Sequence, residues 1–276
     1  MADLSTLSAA RLARVPAFLS DVDGTLTTRG ELTAQVVGAL ESLRDAGVPC
    51  VLVTGRPAGF GELLARMLPV HGVVAENGGL WLRRSPRTGR LEKGYAERAD
   101  VRRRHRGWLV ERVGGVLAEV PGARLSTDSA YTEIDLAIDY GEEVSLGQGA
   151  AERIERACRA RGLRAVRSSV HVNAWVGRFD KRSTALRYLD RFLGISPRQA
   201  RTRCLYLGDS LNDAPLFDAF SLSVGVGNVR DVWDALAHKP RFVVPEREGQ
   251  GAVAVVRALL GARTKRLSTQ REHRTE

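Results

Sequence analysis

Two aspartates stand two residues apart, Asp21 and Asp23, at the end of the apolar run in FLSDVDGTLT, with Gly24 directly behind them. Residues i and i+2 of an extended chain project to the same side, so the pair brings two negative charges together. One such carboxylate can act as a nucleophile and the other as an acid and base, and neighbouring anions call for a cation beside them. An EF-hand calcium loop does not fit, because Thr25, Leu26, Thr27 and Thr28 do not supply the later oxygen ligands. Three further stretches share this placement. Thr54 and Gly55 end the strand-like CVLVTG, where a hydroxyl and turn amides suit a phosphate oxygen. Lys181 opens a helix after VHVNAWV and GRFD, an unfavourable place for a cation against the helix dipole. LYLGDSLND sets Asp209 and Asp213 behind another apolar run, with Asn212 between them.

The elements that must position these residues are short apolar runs ending in small or acidic residues. They are AFLSD (17–21), CVLVTG (50–55), GVVAENG (72–78), CLYLGD (204–209), LSVGVGN (222–228) and FVVPE (242–246). Helical patterns lie between most of them. Thr33 caps one through Leu43, with Gly47 past its end; others cover 61–68, 183–193 with Gly194 as stop, and 213–220. Continuous apolar strands alternating with helices imply a parallel sheet covered on both faces: a doubly wound, Rossmann-like α/β core. In such sheets ligands bind at the carboxyl ends of the strands, where the unusual residues fall.

The middle of the chain has another texture. RRSPRTGRLEKG is a turn-rich entry, a helix over 108–120 follows, and YTEIDLAIDY alternates as a half-buried strand does. A helix around 150–161 and the pair LRAVRSS and VHVNAWV complete the region. The predicted organisation is a core of residues 1–81 plus 179–276 with an inserted α+β domain at 82–178. Residues from about 263 to 276 are expected to be a disordered basic tail.

Composition narrows the class. A 43% hydrophobic and 27% charged chain is that of an ordinary globular protein. Cys50, Cys158 and Cys204 are far apart and odd in number, so they form neither a disulfide framework nor a metal cluster, and a reducing cytoplasm is the simplest setting. The opening residues lack a signal-peptide core, and no run is long enough to span a bilayer. The net charge of +10 comes without zinc-finger spacing or an aromatic-basic RNA signature. It is read as an arginine-rich composition that favours phosphorylated small substrates, with no nucleic acid as partner. His71, His105, His238 and His273 have no metal-ligand spacing, and Trp81 is expected to pack near the entry to the insert.

With DVDGT, TGR, Lys181 and GDSLND in this order, the chain resembles the haloacid dehalogenase (HAD) superfamily of aspartate-nucleophile phosphatases and mutases. ENGG (76–79) and EREGQGAVAVV are similar to the Cof-like and sucrose-phosphatase-like branch, whose large type IIB cap falls where the insert lies. The resemblance implies that Asp21 attacks phosphorus and that Asp23 protonates the leaving oxygen and then deprotonates water. It implies that Thr54, Gly55 and Lys181 hold the phosphoryl group. It also implies Mg²⁺ at Asp21, the backbone carbonyl of Asp23 and Asp209, with Asn212 and Asp213 in support. A carboxylate at Asp23, where related ATPases carry Thr, favours phosphatase or mutase chemistry.

The insert supplies specificity candidates. In VHVNAWV, His171, Asn173 and Trp175 share one face; in YTEIDLAIDY, Tyr131, Glu133 and Asp135 lie opposite the apolar Thr132, Ile134, Leu136 and Ile138. In caps of this family the open sheet face often roofs the active site, and these side chains suit a hydroxyl-rich leaving group. Arg56, after the phosphate turn, is placed to meet a second anionic group. The expected activity is hydrolysis of a small phosphomonoester, a sugar phosphate first, by a cytoplasmic monomer or homodimer. DVDGTLT and ENGG are also similar to archaeal-type phosphoglycolate phosphatases, and DVDGTLTTR to the opening of phosphomannomutases, from which TGRP departs. A basic nucleic-acid-binding protein with a residual phosphatase fold is the competing class, against which the intact motif set argues.

Overall fold

The computed structural model describes residues 2–168 and 170–272. Its strands are β1 (Ala2–Asp3), β2 (Phe18–Ser20), β3 (Cys50–Val53), β4 (Gly72–Ala75), β5 (Leu80–Arg84), β6 (Leu91–Tyr95) and β7 (Arg124–Leu125). They continue as β8 (Leu136–Asp139), β9 (Arg164–Arg167), β10 (His171–Trp175), β11 (Leu205–Gly208), β12 (Leu222–Gly225) and β13 (Phe242–Val243). The α-helices are α1 (Ala9–Leu12), α2 (Ala34–Asp45), α3 (Ala58–Met67), α4 (Ala99–Glu119) and α5 (Gln148–Ala160). After them come α6 (Lys181–Leu193), α7 (Pro197–Arg203), α8 (Ala214–Ala219) and α9 (Glu248–Glu272). The chain forms two compact units. The first comprises Met1–Val53, Met67–Gly72 and Leu186–Glu276, the second Thr54–Arg66 and Val73–Ala185.

In the first unit the strands run parallel in the order β1-β13-β12-β11-β2-β3. Phe18, Leu19, Val51, Leu52, Leu205, Leu207 and Val224 are wholly buried, as strands covered on both faces require. Each such side chain contributes about 1.5–3 kcal/mol of hydrophobic stabilisation. Thr33 caps α2, its hydroxyl accepting from Val36 N, and Gly47 turns the chain at φ +67°. Helices α1 and α2 pack on α9. That last helix extends through Glu272, so residues 263–272 continue a helix where a tail was expected. Arg263 anchors it by donating to the carbonyls of Val15 and Ala46. His273 lies outside the described residues.

The register explains why two acidic motifs meet. Ser20 pairs with Leu207, and Asp21 N donates to Leu207 O at 2.9 Å. Asp21 and Asp209 therefore leave neighbouring strands at the same, carboxyl edge. Strand β12 continues the edge, with Gly208 opposite Gly225.

The second unit contains the antiparallel run β4-β5-β6 and a separate antiparallel sheet, β7-β8-β10-β9. Leu136, Ile138, Val172 and Ala174 point into a core with Leu109, Val113, Val116, Ile154 and Cys158 from α4 and α5. The opposite face, expected to be open, is buried as well: Asn173 is 6% exposed and Trp175 3%. The strand expected over 131–140 forms only at Leu136–Asp139. The N–H groups of Glu133, Ile134 and Asp135 donate to the carboxylate of Glu76 instead of to a neighbouring strand. Cys50, Cys158 and Cys204 are all buried, and burial pushes each thiol up to about 12, so they remain neutral core residues. Among the described residues no helix is long and apolar enough to cross a membrane.

Candidate active site

The first unit assembles the acidic group. One carboxylate oxygen each from Asp21, Asp209 and Asp213 lies within 4.8 Å of the others; Asp21 and Asp213 are buried and Asp209 is half-buried. Gly24 makes this possible. It sits at φ +72°, and a Cβ there would stand 2.6 Å from Asp209 Oδ2. The turn is held by Thr27, whose hydroxyl accepts from Gly24 N at 3.0 Å.

The carboxylates are not equivalent. Asp213 is saturated by local donors: Oδ1 accepts from the Tyr206 hydroxyl at 2.6 Å, and Oδ2 from Asp209 N, Ser210 N and Ser210 Oγ. Burial, then the charge of Asp213, raises the Tyr206 phenol well above its usual pKa, so it stays a proton donor. Asp213 thus shapes the loop that carries Asp209. Asp209 is oriented from both sides, Oδ1 accepting from Thr25 Oγ1 at 2.7 Å and Oδ2 from Asn228 Nδ2 at 2.8 Å. Asn228 also donates to Gly24 O and accepts from Glu248 N, tying both acidic loops to the start of α9. Asn212 accepts from Ser210 Oγ at 2.8 Å. Asp23 is partly exposed beside the buried Asp21.

An all-oxygen, anionic donor set with concentrated negative charge fits a small hard divalent cation such as Mg²⁺. The fit rests on the convergence of Asp21 and Asp209.

The second unit assembles the other expected residues around one loop, Glu76–Gly78. Glu76, Asn77 and Gly78 have φ of +47°, +53° and +96°, three successive left-handed residues. For the two that are not glycine this conformation costs about 1–2 kcal/mol each. Asn77 N donates to Thr54 O at 3.3 Å, and Arg56 N to Thr54 Oγ1 at 3.0 Å. A Cβ on Gly78 would stand 2.2 Å from Asp180 O and 2.8 Å from Lys181 N, so the start of α6 rests on this glycine. Lys181 is 3% exposed. A Cβ on Gly55 would lie 2.9 Å from Asn173 Nδ2, which places that specificity candidate at the Thr54 turn.

The remaining candidates disperse. His171 Nε2 lies 2.8 Å from Glu142, and Glu142 is also paired with Arg56 at 3.9 Å. Arg56 meets Asp128 as well and stacks on Phe60. Trp175 stacks on Phe179, its indole N–H donating to Phe179 O, and reads as packing. Tyr131 is exposed and lies edge-on to Phe60. Glu133 is held by Lys93 and Tyr95; burial raises its pKa, but these two donors lower it further, for a net downward shift.

Sequence reading missed Thr25, Asn228 and Glu76. Asn228 ends LSVGVGN, a strand-end polar residue of the kind followed elsewhere, and was legible. Glu76 was not, because its partners lie at Ala58 and 133–135.

A family model of haloacid dehalogenase-like hydrolases matches residues 18–100. The phosphoglycolate phosphatase of Methanopyrus kandleri is 27% identical over 88% of this chain and 96% of its own length. The phosphoglycolate phosphatase of Pyrobaculum neutrophilum is 30% identical over 87% of this chain and 93% of its own. Among solved structures, the sucrose-phosphatase of Synechocystis sp. PCC6803, in complex with sucrose and phosphate, matches with a TM-score of 0.64 at 17% identity. That match covers 89% of this chain and 98% of the other, and it is a likeness of fold.

Proposed function

The chain belongs to the haloacid dehalogenase-like hydrolases, and from that premise we propose that it is a Mg²⁺-dependent phosphatase of a small phosphorylated metabolite. The observation that carries this reading is the convergence of the Asp21 and Asp209 carboxylates within 4.8 Å, beside a second carboxylate at Asp23.

In this mechanism a carboxylate oxygen of Asp21 attacks phosphorus, the bond to the leaving oxygen breaks, and Asp21 becomes an aspartyl-phosphate. Asp23 gives its proton to the leaving oxygen. It then takes a proton from water, which attacks phosphorus, releases inorganic phosphate and restores Asp21. Thr54, Gly55 and Lys181 are assigned to the phosphoryl oxygens. Mg²⁺ would be held by Asp21, the carbonyl of Asp23 and Asp209, and when bound it supplies neutralisation of the charge on the transferring group. Thr25, Asn228 and Asp213 keep Asp209 in position.

The segment 82–178 is read as the cap that selects the substrate. Phosphoglycolate stands first among substrates, because relatives of that name align over nearly the whole chain; sugar phosphates, favoured by the sequence alone, stand second. Phosphate release from a panel containing phosphoglycolate and several sugar phosphates, with and without Mg²⁺, tests the reading. The expected result is Mg²⁺-dependent release that Asp21→Asn abolishes. Release at an unchanged rate by that variant, or conversion of one sugar phosphate isomer to another without free phosphate, would contradict it.

A further inference from the structure

The amino ends of the strands that carry Asp21 and Asp209 frame a second site, on the first unit's opposite sheet edge. A cavity of about 530 Å³ lies there, lined by Ala13, Arg14, Val15, Pro16, Arg203, Arg263 and Arg266. Pro16 precedes β2, and Arg203 precedes β11. The volume is that of a small-molecule site.

Some arginines in this protein are paired with a carboxylate, as in Arg83–Glu92, Arg161–Glu119 and Arg167–Glu155. Those of the cavity are not, and four of them line one concavity. Among the described residues, Arg14, Arg203, Arg263 and Arg266 have no acidic partner. Helix-end positions account for part of the pattern, since Arg203 closes α7 and favours its dipole. They do not account for four arginines lining one concavity, where mutual repulsion opposes the arrangement. Arg263 is moreover fixed, its guanidinium donating to Val15 O at 3.1 Å and Ala46 O at 3.4 Å. The half-buried Pro16, set over the buried Ala13 and Val15, gives the cavity an apolar floor.

We propose that this cavity binds a small molecule bearing a di- or triphosphate, separately from the catalytic edge. Several guanidinium forks match several phosphate oxygens, which one phosphoryl group would not engage together. The apolar floor offers contact to an organic body such as a nucleoside.

The test is calorimetric titration of the full-length Asp21→Asn protein, in EDTA at about 0.15 M salt, with inorganic triphosphate in one arm and ATP in the other. Binding of either at one site per chain is expected, and tighter binding of ATP assigns the organic body to the floor. The exposed pair Arg14→Glu/Arg203→Glu should weaken it by about tenfold or more, with thermal unfolding unchanged. Arg103→Glu/Arg104→Glu on α4 alters net charge equally and should change binding less than about twofold. If the Glu pair fails to fold, Arg14→Gln/Arg203→Gln serves, with a weakening of at least about threefold expected. Equal weakening by the α4 pair, or no binding of either probe, overturns the proposal. A single-stranded oligonucleotide that binds more tightly than both probes through Arg14 and Arg203 would also overturn it, in favour of nucleic acid.

Discussion

In the first unit, Asp21, Asp209 and Asp213 bring carboxylate oxygens within 4.8 Å of one another; in the second, Glu76 and Asp135 are buried at 0% and 2% exposure. The two groups compensate their charge by different means. Glu76 takes the backbone N–H groups of Ala58, Glu133, Ile134 and Asp135, so one side chain ties the start of α3 to the approach to β8. Asp135 accepts from Asn77 Nδ2 at 2.8 Å. Burial, and next the neighbouring Glu76 charge, raises the Asp135 pKa well above the ordinary carboxylate range. In the first unit the local donors concentrate on Asp213, while Asp21 and Asp209 converge. Backbone donors make a carboxylate a structural tie. Convergent carboxylates are where the proposed cation would sit.

Removing the central acid on each side separates these roles. On the catalytic side, Asp209→Ala should lower kcat/KM by about a thousandfold or more, the loss of roughly 4 kcal/mol of transition-state stabilisation. The fold should survive, because relief of repulsion offsets the lost hydrogen bonds. On the structural side, Glu76→Ala leaves buried N–H groups without an acceptor and should cost about 3–5 kcal/mol of stability. Calorimetry should show a fall in Tm on the order of 10 °C. A Glu76→Ala protein with native Tm would remove the distinction.

Asn228→Ala takes away the amide that orients Asp209, and Mg²⁺ should then bind about 10–100-fold more weakly. Metal titration of activity would show a raised half-saturation with kcat largely restored at high Mg²⁺. A lowered kcat with unchanged metal dependence would assign Asn228 elsewhere.

The smallest effect concerns pH. The folded pKa of Asp135 lies above its unfolded value, so the folded state binds the extra proton. Its contribution to stability is full below the unfolded pKa and falls as pH rises toward the folded one. Asp135→Asn should therefore flatten the decline of Tm with pH above about 4, the unfolded carboxylate value. A slope steeper than wild type would reverse the assignment.

The parallel core was readable because its strands are continuous apolar runs, and parallel pairing delivers their carboxyl ends together. That is why Asp21 and Asp209, far apart in sequence, meet through the Ser20–Leu207 register. The Thr33 cap and the Gly47 turn follow local rules and were readable for the same reason. Where a distant side chain captures the backbone, local pattern misleads: Ile134 alternates correctly for a strand, yet its N–H goes to Glu76 at 2.6 Å. Burial of the His171–Trp175 face was equally hidden, because polar residues such as Asn173 cover the Thr54 turn rather than solvent. Asn228 was legible as a strand-end polar residue, and the β11–β12 register, in which Gly208 pairs with Gly225, explains how it reaches Asp209.

The most direct measurement is acid-quench trapping of the enzyme during turnover of radiolabelled substrate, followed by mapping of the labelled peptide. Covalent phosphate is expected on Asp21, formed only with Mg²⁺ and absent from Asp21→Asn. Label on another residue, or turnover at full rate by Asp21→Asn without a phosphoenzyme, would contradict it.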